Sequence, residues 1–381
     1  MRSHEMNRQY TADVVVVGGG VIGCSIAYHL GKAGAEVIVV EREEVAAEAS
    51  SAAAGLLAPI GEISGQSAYA NLLLASWSLY PELIPTLEEA SGVRAEYYCP
   101  GSLHTATNAA DAKLLRRQMA TWEPLGLRVT WLTGDEVRAR EPLLASGVEA
   151  AIYTPKDGSI KPAAMTRAYA GAARQQGVLF YERTEITGIQ RSSSRVTGVQ
   201  TALGEVISCN QLVIAAGAWS ARFGEWLGLS IPVRPMRGQI LSLRQPASPL
   251  KHILFGEGVY LVPKLDDTIY VGATVEQVGF DKSVTAEGIA WLLSSAILLV
   301  PVLGRAPIAN IWAGLRPWSQ DSRPILGKAP GWENVTLATG HSATGFELSA
   351  ITGVTIAELV MTGQTPEIIS AFGVERFLGG S

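Results

Sequence analysis

The 381-residue sequence has three cysteines, Cys24, Cys99 and Cys209, and no CxxC pair. So sparse and odd a set excludes a disulfide framework and a thiolate metal site, and it fits a reducing compartment. Cys24 falls inside the first helical stretch, where core packing explains it. The five histidines, His4, His29, His104, His252 and His341, show no ligand spacing, so no metal is expected. Charge is also scarce: charged residues make up 17% and the net charge is -5. That argues against a broad nucleic-acid surface. No long uninterrupted apolar run is present. The most apolar late stretch, within Ile289–Leu303, is cut by Pro301 and is too short to span a bilayer. It reads as a buried or substrate-side helix, and no integral membrane segment is expected. The head, Met1–Asp13, lacks the apolar centre of a secretory leader, so the expected setting is cytoplasmic. What the chain does have is 48% hydrophobic residues, ample for one large or two medium domains.

Asp13–Val17 is a β-branched run suited to a central parallel strand covered on both faces. GGGVIG follows, with Gly18, Gly20 and Gly23 at GxGxxG spacing. The first glycine permits a tight turn, the second lets backbone approach a pyrophosphate, and the third lets helix and strand pack closely. A helix over Val21–Ala33, including Ile22, would turn its free N–H groups toward the phosphates. Glu36–Val40 reads as a second strand with Glu41 directly after it. An acid there accepts bonds from an unmodified ribose and repels a 2′-phosphate, which disfavours NADP. Strand, helix, strand and acid in order predict a dinucleotide site, without separating FAD from NAD. The small residues SSAAA at Ser50–Ala54, then Gly55, leave room for a bulky flat ring. A plain loop would explain that composition equally well.

Farther on, apolar spacing predicts helices over Tyr69–Leu87, Ala109–Leu125 and Leu132–Glu141, with a strand candidate at Tyr97–Leu103. Pro162 can open a helix to about Gln176, and Val178–Tyr181 could rejoin the parallel sheet. Thr184–Gln190 and Arg195–Thr201 read as antiparallel strands. Gln211–Ala215 is a strand followed by Ala216–Gly217, narrow enough for another backbone approach to the cofactor. Gln239–Arg244, Val259–Pro263 and Thr268–Thr274 suggest a separate antiparallel sheet. Trp312–Gly314 and Val335–Ala338 are short strands, and a Gly340–Gly345 loop opens a last apolar helix to Val360.

GGGVIG with VVE at Val39–Glu41, SSAAAGLLAP at Ser50–Pro59, VIAAGAWS at Val213–Ser220, PMRGQ at Pro235–Gln239 and GLRPWSQDSRPILG at Gly314–Gly327 appear in this order. In these segments the chain resembles the D-amino-acid oxidase superfamily of FAD enzymes over essentially its whole length, most closely the glycine oxidase and sarcosine oxidase branch. The resemblance implies an α/β protein. A Rossmann-like FAD-binding domain with a parallel sheet (residues 1–90, 151–232 and 311–381) would interleave with an α+β substrate domain on an antiparallel sheet (91–150 and 233–310). It implies non-covalent, extended FAD. Gly18, Gly20, Val21, Ile22 and Gly23 would face the pyrophosphate, and Glu41 with Arg42 the ribose. Ser50, Ser51, Ala53, Ala54 and Gly55 would line phosphate and flavin, and Ile186 would meet the adenine. Ala216, Gly217 and Trp219 would approach the cofactor again, as would His341, Ser342, Ala343, Thr344, Gly345 and Phe346. The last helix would direct its N-terminus toward the flavin.

Arg316 resembles the family arginine that binds the substrate carboxylate, and Tyr260 the tyrosine that completes the contact. On the residues alone, Arg316 would serve equally in an ion pair and Tyr260 as an inward strand residue. Arg234 and Arg237 could position the cofactor or close the domain boundary, and Asp321 with Arg323 could equally be a loop salt bridge or a functional pair. Glycine oxidases of this type often carry a basic residue in the GH…NG loop. Here Ala343 stands in that place, which weakens a strict glycine assignment. The implied activity is oxidative deamination of a small amino acid or secondary amine such as glycine, sarcosine or a D-amino acid. Hydride would pass to flavin N5, and molecular oxygen would reoxidise the ring with formation of hydrogen peroxide. A D-amino-acid dehydrogenase feeding a quinone or carrier, and a non-redox flavin-binding protein, stay open. So does assembly into a homo-oligomer.

Overall fold

The computed structural model describes residues 10–378. The leaderless reading of the head therefore falls mostly outside the described residues. The valine run builds a strand, Tyr10–Val17, paired in parallel with Val37–Val40 on one side and Val206–Ile214 on the other. Its side chains alternate between two cores. Val14 and Val16 join a cluster with Cys24, Leu30, Tyr169 and Ile356. Val15 and Val17 join one with Ile186, Val199, Phe223 and Leu337. Burial on both faces is what a run with no polar alternation requires.

Leu179–Tyr181 and Val335–Thr339 extend this sheet in parallel; Ile325–Lys328 closes one edge antiparallel, and the hairpin Ile186–Ser192/Arg195–Thr201 branches from Val206–Ile214. The sheet is therefore mixed, with a parallel centre. The helix Val21–Lys32 packs against Pro162–Gln175 and Gly345–Thr362 on one face. Gly345–Thr362 is long and apolar enough to cross a membrane by length and composition alone, and 72% of its window is buried inside the protein.

The second sheet runs Ile308–Ser319, Val233–Arg244, Thr268–Gly272, Val259–Pro263, Ile253–Gly256, Ser102–Ala106, Ala150–Thr154, Thr130–Thr133. All neighbours are antiparallel except Ser102–Ala106 with Ile253–Gly256. The helix Ala286–Leu299 packs on it through Leu292, Ala296 and Leu299 and leaves Trp291 and Leu298 exposed, so that apolar stretch is only half buried.

Three local expectations change. The strand expected at Trp312–Gly314 spans Ile308–Ser319, because Val233–Arg244 offers a partner along its whole length, from Val233↔Ser319 to Leu243↔Ile308. Residues 151 and 311 themselves lie inside strands of the second sheet. The Tyr97–Leu103 strand starts only at Ser102. Leu132–Glu141 divides into a strand end and a helix, Gly134–Arg140, opened by a Thr133/Glu136 capping box.

Candidate active site

The groove begins where the first strand turns into its helix. Gly18 has φ +109°, and a Cβ there would stand 2.4 Å from the Ala215 carbonyl oxygen. At Gly23 a Cβ would lie 1.9 Å from the Gly18 oxygen, so only glycine lets helix and turn meet. Ser50 Oγ accepts the Val21 N–H at 2.9 Å across the helix N-terminus. Glu41 accepts the Gly19 N–H on Oε2 (2.6 Å) and the Glu43 N–H on Oε1 (2.9 Å), which fixes its carboxylate beside the turn.

A cavity opens there, with Gly18, Gly20, Glu41, Arg42, Ile186, Ala216 and Trp219 in its wall. Arg42 lies 3.8 Å over the Trp219 ring and pairs with Glu48 at 3.1 Å. A second cavity continues from it and shares Gly20, Ser50, Ala215 and Gly217. Val21, Ile22, Ala53, Ala54, Gly55, Ser342, Ala343, Gly345 and Phe346 line it, as do Tyr260 and Arg316 from the second sheet. Two helix N-termini, those of Val21–Lys32 and Gly345–Thr362, thus meet one continuous space.

Arg316 donates from Nη1 to the Thr274 carbonyl at 3.0 Å. Burial raises the Tyr260 phenol, and the neighbouring Arg316 guanidinium, within hydrogen-bonding reach, holds it back. His341 reaches the cavity wall, but its Nε2 lies 3.1 Å from Thr352 Oγ1, and burial lowers the ring to about 3, so it is neutral at physiological pH.

Some expected residues face elsewhere. The Ser51 hydroxyl donates to the Glu48 carbonyl at 3.0 Å, and the residue lines a neighbouring cleft rather than either cavity. A helical serine readily turns back onto its own preceding carbonyls. Thr344 pairs with the Tyr69 hydroxyl at 2.9 Å and lies behind the wall. Arg237 is buried among Glu276, Asp281 and Ser283. Asp321 pairs with Arg376 at 2.8 Å, while Arg323 stacks 3.7 Å over Tyr69, so the expected Asp321–Arg323 bridge is replaced. The wall also contains Glu62, Phe255 and Glu347, which sequence reasoning passed over. The signal for Glu347 was an acid in the first turn of an apolar helical run.

The glycine cradle, the paired helix N-termini, the acid beside the turn and the long joined cavities fit an extended dinucleotide with a large flat ring at the second-sheet end. Among the described residues no His, Cys, Asp and Glu cluster could hold a metal ion. These features are those of a dinucleotide-dependent redox protein, and residues of both sheets line the space. The chain belongs to the DAO family of FAD dependent oxidoreductases, whose model matches residues 13–359, and its cofactor is FAD. It is 36% identical over 369 residues to the glycine oxidase of Geobacillus kaustophilus, covering 96% of this chain and 97% of that one. It is 34% identical to the hydrogen cyanide synthase subunit HcnC of Pseudomonas aeruginosa, covering 98% and 97%. The crystal structure of the Geobacillus kaustophilus glycine oxidase superposes with a TM-score of 0.92, covering 96% of this chain and 99% of that chain.

Proposed function

We propose that the chain oxidises the carbon–nitrogen bond of glycine or another small amino acid or secondary amine. The product is an imine that water converts to an oxo acid and ammonia or an amine. Bound FAD supplies the hydride acceptor, and dioxygen regenerates it with release of hydrogen peroxide. The reading rests on one observation: Arg316 and Tyr260 bring neighbouring donors into the cavity that the dinucleotide groove enters.

In this reading Arg316 presents a planar fork to the substrate carboxylate. Tyr260 keeps its proton, because burial raises its phenol, and donates to the same group. Gripping the acid fixes the α-carbon, and much of the rate comes from that positioning. The N-terminus of Gly345–Thr362 favours negative charge on its side of the cavity, and neutral His341 holds the loop before it. Gly18, Gly20 and Gly23 hold the pyrophosphate, Glu41 the ribose, and Ile186 and Trp219 the adenine end. The sparse, unpaired cysteines favour a cytoplasmic setting.

The name glycine oxidase on relatives 30–36% identical supports oxygen as acceptor. Ala343, in place of the basic residue, leaves room for substrates larger than glycine. The test is anaerobic flavin bleaching by glycine, sarcosine, D-alanine, D-proline and larger D-amino acids, then readmission of air. Bleaching followed by fast reoxidation is expected. Slow reoxidation beside fast dye reduction would make the protein a dehydrogenase. Full FAD content with no bleaching by any amine would make it a non-redox flavoprotein.

A further inference from the structure

The same cavity carries charge that the carboxylate grip does not use. Glu347, in the first turn of Gly345–Thr362, is only 8% exposed. Its Oε1 accepts the Ala58 N–H at 3.2 Å, and its other carboxyl oxygen has no hydrogen bond among the described residues. That side chain lines the cavity, and so does Glu62. Neither acid hydrogen-bonds to Arg316 or Tyr260.

The neighbours fix the charge balance. Arg323, stacked on Tyr69, is the cation facing Glu62. Asp157, which accepts from Ser102 and Thr154, lies behind Glu347 and adds negative charge to the same side. Arg323 therefore faces Glu62, and among the described residues Glu347 forms no ion pair. Burial and the nearby Glu62 push the Glu347 carboxyl well above the usual carboxylate range, and a cation placed beside it would favour its charged form. Ala343, also in the wall, adds no positive charge that would repel one.

Resting on the reading that the cavity takes an amino acid by its carboxylate, we propose that Glu347 and Glu62 form a second subsite for a side-chain ammonium or guanidinium. The enzyme then prefers amino acids with a distal cation over apolar ones of similar length. The carboxylate grip and the acid pair are separate sets of donors and acceptors, so a substrate bound by both is held at two points. A desolvated acid–cation pair discriminates strongly against an uncharged chain, because the apolar partner leaves the acid unmatched.

The test uses the FAD-loaded full chain. Rates of anaerobic flavin bleaching and of oxygen uptake are compared for ornithine against norvaline and for lysine against norleucine, each as both enantiomers, with glycine as reference. The cationic member of each pair should have a kcat/KM at least about tenfold higher, equivalent to ~1.4 kcal/mol. In Glu347→Gln, which keeps an acceptor for the Ala58 N–H, that ratio should fall to about one. Glu62→Gln, on the more open side, should lower it too and serves if the first variant does not fold. A ratio of one or less in the parent, with glycine still bleaching the flavin, overturns the subsite and leaves the oxidase reading intact. A cationic preference unchanged by both substitutions overturns it as well. Failure of every amine to bleach the flavin overturns the underlying reading.

Discussion

The Arg316 guanidinium lies against Gly238 on the neighbouring strand: a Cβ built there would stand 2.2 Å from Nη1. Tyr260 covers Gly272 in the same way, with the phenol oxygen 2.5 Å from where a Cβ would be. The proposed grip on the substrate acid is thus seated on two glycines of the second sheet, each of which leaves room for one of the two side chains. Arg316→Ala should remove two charge-assisted hydrogen bonds, together ~3–5 kcal/mol, and lower kcat/KM for amino-acid substrates by about 10²–10³-fold with FAD retained. Tyr260→Phe should cost about tenfold. Gly238→Ala should mimic part of the arginine loss by displacing its head. Steady-state kinetics alongside the ratio of flavin to protein absorbance checks all three; equal turnover by parent and Arg316→Ala would move the substrate site elsewhere.

Gly23→Ala attacks the cofactor groove alone. The added methyl cannot coexist with the Gly18 carbonyl 1.9 Å away, so helix and turn must separate. The variant should purify with little flavin and show a lower melting temperature that added FAD only partly restores. A yellow Gly23→Ala protein of parental stability would contradict the proposed packing.

Lys264 holds the flavin-side loop from the second sheet. Its Nζ donates to the carbonyls of Ala54 and Ile160, the latter at 3.0 Å, and lies 5.0 Å over the Tyr270 ring. Burial brings this amine down to about 7. Lys264→Met keeps the apolar stem and leaves both carbonyls without a donor, at about 1–3 kcal/mol each. The expected result is FAD affinity weakened by about tenfold or more and a shifted flavin absorption band. An unchanged spectrum and dissociation constant would reduce Lys264 to packing.

His104 supplies a pH test. Its ring stacks on Phe255 at 4.5 Å, its Nε2 has no partner, and burial lowers it from 6.5 to about 4. The unfolded chain therefore takes up this proton before the folded one does. The resulting loss of stability starts as pH falls through 6.5 and is complete below about 4. Between pH 7 and pH 5 the parent should lose ~2 kcal/mol relative to His104→Phe, which keeps the stack without the titrating ring. Denaturant titrations of both proteins at the two pH values measure it; parallel curves would mean that the imidazole finds a partner.

Much of the groove was legible because its chemistry is local. Val14–Val17, the glycine spacing and Glu41 fall within one strand–helix–strand unit, and their roles follow from backbone geometry. Arg316 and Tyr260 came only from family resemblance, since no spacing joins positions 260 and 316; the second sheet brings them together. Glu62, Glu347 and Lys264 were missed for the same reason. Each lies on a different element, and their charge acquires meaning only where those elements enclose a common space. The length of Ile308–Ser319 was hidden too, because a strand's extent is set by its partner and not by its own alternation.

The segment after Thr268–Gly272 crosses back to the first cavity: Phe280 stacks on Trp219 at 5.2 Å, and Lys282 pairs with Glu48 at 3.2 Å. A strap from one sheet is thus fastened to the other beside the proposed nucleotide groove. With the dinucleotide held in that groove, as proposed, loosening this clasp should speed its departure, and the FAD dissociation rate of Lys282→Ala measures it.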